Sequence, residues 1–184
     1  MSAQTFLGPS FRQAGVHLPN FPGVVQRTSV LDLDTLIGLT DGTAATTLEA
    51  NDLIKVFKLP ANCKIVFGRI DCEDLDGHAT PTLTLDLLVS DGSTTKYIFD
   101  EATIGQSGGF ADSRDAGAAG VLDIFDSNSA INYVLPDNEI DWYVGLKVGT
   151  AAATMQNDAI AVTIGYTHAL ENVDYDRDFP TPNP

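Results

Sequence analysis

Basic residues are scarce in this chain: ten Lys and Arg stand against 25 Asp and Glu, for a net charge of −15. Phosphate recognition needs clustered Lys and Arg, and these ten are scattered, so a nucleic-acid binder is excluded. Long apolar runs are missing too. None approaches the roughly 20 residues of a membrane helix, and no membrane partner is expected. The N-terminus MSAQTFLGPSFRQAGVHLP has neither a basic n-region nor a continuous apolar h-region, so no secretory signal is expected there. The signatures of catalysis are absent as well: no HExxH, no GxSxG elbow, no Walker loop and no GxGxxG after a strand. His17, His78 and His168 have no ligand-pair spacing, and the glycines at Ser107-Gly108-Gly109 lack the strand–loop–helix context of a phosphate cradle. No enzyme activity and no cofactor are expected.

Cysteine is nearly absent. Cys63 and Cys72 are the two in the chain. On one continuous strand their odd separation would put them on opposite faces, about 30 Å apart at ~3.3 Å per residue. A bulge at Gly68 would restore the face but not close that distance, and a disulfide needs Cα atoms within ~7 Å. Both read as free buried thiols, in keeping with assembly in a reducing cytoplasm.

What the chain has is period-two patterning. Asp52–Ile70, DLIKVFKLPANCKIVFGRI, holds two β-rich runs around a Pro60-Ala61-Asn62 corner. In the first, Ile54, Val56 and Lys58 are expected on one face, with Leu53, Lys55, Phe57 and Leu59 on the other. Ile65-Val66-Phe67 reads as strand buried on both sides. Thr82–Ser90 alternates with Leu83, Leu85, Leu87 and Val89 inward; Asp91-Gly92 is a hairpin signal, and Thr94–Phe99 is its return. Val30–Ile37, Val121–Phe125, Ile131–Leu135, Asp141–Val148 and Ala159–Tyr166 complete the strand signals, while Asp100–Gly120 reads as a long surface loop. About eight strands predict an all-β antiparallel sandwich, jelly-roll or Greek-key-like, over residues 28–170. At 184 residues it buries roughly 70% of its unfolded surface.

Both ends depart from that rhythm. Residues 1–27 carry Pro9, Pro19 and Pro22 with Gly8, Gly15 and Gly23, yet keep Phe6, Leu7, Phe11, Leu18 and Phe21. Each such side chain is worth roughly 1.5–3 kcal/mol when buried, so an extended arm packed on its own sandwich or on a neighbouring subunit is expected. Residues 171–184, acidic and Pro-rich, embed Tyr175 and Phe179 as either a second arm or a frayed end.

One acidic cluster has ligand chemistry. Asp71, Glu73, Asp74 and Asp76 precede Gly77, and carboxylates spaced around a glycine turn are how calcium loops gather oxygens. The competing reading is an acidic β-turn in an acidic protein, with no metal.

Leu59-Pro60-Ala61-Asn62, the Asp91-Gly92 hairpin, Tyr97-Ile98-Phe99 and the closing pair Val144–Tyr166 together resemble small virion proteins of tailed bacteriophages. The resemblance covers roughly residues 50–168. It implies a non-enzymatic decoration or cement protein on the capsid exterior, with the major capsid protein as partner and a homo-oligomer, a trimer, as its form. A tail, neck or fibre component, or a carbohydrate-binding sandwich, is the alternative.

Overall fold

The computed structural model describes residues 5–7, 24–33, 47–115, 119–123, 125–136, 141–156 and 158–168. Its strands are β1 (Thr5–Leu7), β2 (Val25–Asp32), β3 (Leu53–Leu59), β4 (Cys63–Cys72), β5 (Thr84–Ser90), β6 (Thr95–Ala102), β7 (Gly109–Asp112), β8 (Trp142–Thr150) and β9 (Ala159–His168). They form two sheets, ordered β1-β3-β8-β5-β6 and β2-β9-β4-β7. All pairs are antiparallel except β1 with β3. Setting β1 aside, eight strands in the orders 3-8-5-6 and 2-9-4-7 make a jelly roll. Among the described residues no helix is long and apolar enough to cross a membrane.

Among the described strands the chain changes sheet at nearly every connection, and β5–β6 is the one hairpin between sequential strands. There the Asp91 carboxylate accepts from Ser93 and Thr94 N–H, while Gly92 takes a φ of +91°. The Pro60 corner is one of the crossings: it carries the chain from β3 in one sheet to β4 in the other, with Asn62 at φ +56°. Pro60 suits the position because it withholds no N–H that a ladder needs.

The core fills the space between the sheets. Leu85, Leu87 and Val89 of β5 and Trp142, Val144, Leu146 and Val148 of β8 meet Ile65 and Ile70 of β4 and Ile160, Val162 and Ile164 of β9. Alternation survives in β5 and β8 as expected. It breaks in the two strands flanking the corner. β3 has a register shift between Lys55 and Phe57, so Ile54, Phe57 and Leu59 share the buried side while Lys55 and Lys58 stay partly exposed. β4 shifts between Ile65 and Phe67. An inserted residue reverses the parity of everything after it, which puts both Cys63 and Cys72 in the core instead of on opposite faces. Both are free thiols.

Four further expectations change. β2 begins at Val25, inside the expected arm, and the Leu36–Ile37 part of that run lies outside the described residues. The expected loop Asp100–Gly120 contains the end of β6, a 3-10 turn at Ile104–Gln106 and β7. Among the described residues of Val121–Phe125 and Ile131–Leu135 single bridges stand in place of strands, Val121 to Phe99 and Val134 to Lys64. They run along sheet edges, where a bulky apolar residue can sit without a continuous ladder.

Candidate assembly surface

Alternation places one side of each strand in the core and leaves the other side to form the outer face. On the β2-β9-β4-β7 sheet that face is laid out by register. Val30, Ala161, Asp71 and Phe110 form one row across the four strands, and Thr28, Thr163, Arg69 and Asp112 the next. Gln26, Gly165 and Phe67 follow, and then Thr167, Lys64 and Val134. Val24 stands one residue before β2, in the same alternation. Val24, Val30, Phe110 and Val134 are exposed by 52, 59, 58 and 44%, and they are four of the five large apolar residues exposed among the described residues. The fifth, Phe125, sits on the 119–136 stretch.

β9 gives this face its shape. Ala159, Ala161, Thr163, Gly165 and Thr167 put small groups outward while Ile160, Val162, Ile164 and Tyr166 fill the core. Two arginine–aromatic stacks rise beside that shallow strip. The Arg69 guanidinium lies 4.6 Å from the Phe110 ring centre, and that of Arg114 lies 4.2 Å from Phe67. Arg114 also grips Asp112 through Nε at 2.9 Å and Nη2 at 2.5 Å. That grip holds the Asp112 carboxyl below its ordinary range against the opposing effect of burial. The Thr28 and Thr163 hydroxyls meet at 2.9 Å in the middle of the face.

Charge is balanced here as it is not in the chain as a whole. Lys64 and Arg69 stand in these rows with Asp71 and Asp112, two cations to two carboxylates, on a protein of net charge −15. A neutral, shallow face rimmed by exposed Val and Phe can approach another protein without the self-repulsion that the rest of the acidic surface imposes.

The expected contact residues fall elsewhere. Phe6 and Leu7 belong to β1, whose backbone pairs with Ile54 and Lys55 of β3. Phe11, Leu18, Phe21, Tyr175 and Phe179 lie outside the described residues. Three carboxylates of the acidic cluster have separate partners, and Glu73 is exposed. Asp71 takes Arg69 at 2.7 Å, and Asp74 accepts the Asp76 N–H at 3.0 Å, closing a local turn. Asp76 is almost wholly buried and accepts four backbone N–H groups, from Thr82, Leu83, Ala153 and Thr154, at 2.7–3.1 Å. Burial pushes its carboxyl up, but those four donors outweigh burial and hold it well below the usual carboxylate range. Asp76 thus pins the loop before β5 to the loop before β9. Among the described residues no three His, Cys, Asp or Glu side chains converge as a metal site.

Val30, Phe110 and Val134 escape a reading of the sequence because apolar residues in β-rich runs look core-bound. Alternation along β9 is the signal that could have found the face, since its outward positions are all small.

No protein-family model matches the chain, and no curated protein does. Solved structures do. A chain of the capsid of Ralstonia phage GP4 superimposes with a TM-score of 0.64 at 20% identity, covering 91% of this chain and 99% of that one. A chain of the cyanophage Pam1 capsid asymmetric unit gives a TM-score of 0.50 at 19% identity, covering 84% and 93%. The jelly roll built here from two register-shifted strands and a proline corner is a fold that phage capsids contain.

Proposed function

We propose that this chain is a non-enzymatic virion protein that decorates and cements a tailed-phage capsid. It sits on the shell exterior and binds across neighbouring major capsid subunits through the outer face of the β2-β9-β4-β7 sheet, assisted by its terminal arms. The observation that carries this reading is the placement of Val24, Val30, Phe110 and Val134 around the rim of one face, in a fold shared along nearly the whole length of a phage capsid chain.

Magnitudes explain why the arms belong in the account. Six residues of rise and four strands give the face a footprint of roughly 300 Å². A stable interface buries about 800 Å² on each partner. The face orients the docked protein, and apolar arm residues such as Phe11 and Phe21 supply the remaining area. Assembly in a self-associated form, a trimer, would multiply each weak contact. The mechanism is linkage, because a ligand that binds only the assembled lattice stabilises that lattice.

Sedimentation with capsid shells lacking this protein tests the proposal. The chain is expected to pellet with shells, to stay soluble alone, and to raise the temperature at which the shells disrupt. A chain that leaves both sedimentation and shell disruption unchanged is not a cement protein.

A further inference from the structure

Among the described strands β1 is the one that pairs in parallel, with Thr5, Phe6 and Leu7 opposite Leu53, Ile54 and Lys55 of β3. It lies at the edge of the sheet opposite to the one that β2 enters. The path between them is short. Arg27 of β2 donates to the Lys58 carbonyl of β3 at 2.8 Å. From there to Lys55 is about 10 Å along the strand, and the sheets are about 10 Å apart. Closing β1 onto its own β3 thus spans roughly 20 Å by these spacings. The residues from Gly8 to Gly23 number sixteen, and sixteen residues reach roughly 50 Å when extended. That is more than twice what closure within one chain requires, and enough to cross to an adjacent subunit.

We propose that β1 is exchanged: in the assembled protein, Thr5–Leu7 of one copy adds to the β3 edge of a second copy. The occupant of that edge is fixed by the structure, since the pairing of Thr5–Leu7 with Leu53–Lys55 is the one seen within the chain. Exchange keeps every one of those backbone pairs and changes only which chain supplies them, so it costs little once copies are held side by side. Each exchanged strand then ties two subunits together. Pro9, Pro19 and Pro22 in the connecting stretch restrict its backbone and lower the entropy lost on extension.

The proposal rests on the capsid role only for the setting in which copies meet, and cysteine pairing tests it directly. Neighbouring strands lie about 4.8 Å apart, within the Cα range a disulfide accepts. Cys63 and Cys72 are buried and will not compete. Chains carrying only Thr5→Cys are mixed with chains carrying only Leu53→Cys, bound to shells and oxidised. Exchange predicts a disulfide-linked dimer at roughly tenfold the level of either variant alone. A doubly substituted Thr5→Cys/Leu53→Cys chain should give linked oligomers, and Leu7→Cys with Lys55→Cys should repeat the result. Internally linked monomer from the double variant with no dimer in the mixture overturns exchange, and so does no linkage at all. Should the chain fail to pellet with shells, the capsid reading fails separately, and the same linkage is read on its oligomer in solution. A chain that is monomeric throughout overturns exchange as well.

Discussion

Asp76 shows how one buried side chain can hold two loops. Hydrogen bonds to a charged group contribute about 1.5–3 kcal/mol each in context, and they are not additive. Asp76→Asn turns an NH₂ toward backbone donors and is expected to cost at least about 3 kcal/mol. The pH dependence follows from the lowered carboxyl. Its stabilisation is complete above the unfolded pKa of about 3.9 and is lost as pH falls toward the folded value. Melts of the two proteins should therefore differ most at neutral pH and converge below about pH 4. A constant gap down to acid would mean that the charge is not what holds the loops. The thiols make a second residue-scale prediction. Burial pushes Cys63 up to about 12 and Cys72 up to about 11, with Asp71 and Asp74 adding to the latter. Thiol reagent at mildly alkaline pH should label neither in the folded protein and both after denaturation. Labelling of the native state would contradict their placement in the core.

At the scale of the element, the strands divide by whether their alternation is intact. Leu83–Val89, Trp142–Val148 and Ala159–Tyr166 could be read from the sequence because every second residue is large and the extra residues of their ladders fall in the partner strands or at the end of β8. β3 and β4 could be located but not oriented, because valine at the shifts, Val56 and Val66, suits either face. β7 is masked by its Gly-Gly-Phe start, which resembles loop. The outer face stayed hidden for the same reason as the bulges: exposure at Val30 or Phe110 is set by which strands lie alongside, and local patterning does not carry that. Of the expected contact residues, only Phe6 and Leu7 lie within described structure, at the level of the backbone. Across β4 and β9, Phe67 lies over Gly165, where an added Cβ would stand 2.1 Å from the ring. The same ring carries the Arg114 stack, so a shift of the ring disturbs that contact as well. Gly165→Ala should cost about 1–3 kcal/mol by overpacking. Pairing it with Phe67→Leu should recover part of that loss, as coupled neighbours do. Strict additivity in chemical melts would show that the two do not pack together.

Across the whole molecule, the order of strands is the least local property. Among the described strands only β5–β6 is joined as a hairpin, so turn signals alone could not arrange the others, and the choice between jelly roll and Greek key rested on the sheets themselves. The arrangement is what gathers Val30 of β2 and Phe110 of β7 onto one face from points 80 residues apart in the chain. Val30→Asp with Phe110→Asp leaves the core untouched and should change the melt by no more than about 1 kcal/mol. The same pair should lower shell binding by roughly tenfold or more, because two apolar side chains at the rim of the face become charges that docking must desolvate. Binding at the level of the unaltered protein would move the contact to the arms alone. The orientation of the sandwich on the shell decides which face makes the contact, and cryo-electron microscopy of shells decorated with this chain measures it. The expected map has jelly-roll density outside the shell, spanning subunit boundaries, with the β2-β9-β4-β7 face turned toward the shell. Density with the β3-β8-β5-β6 face turned inward, or on the shell interior, would contradict it.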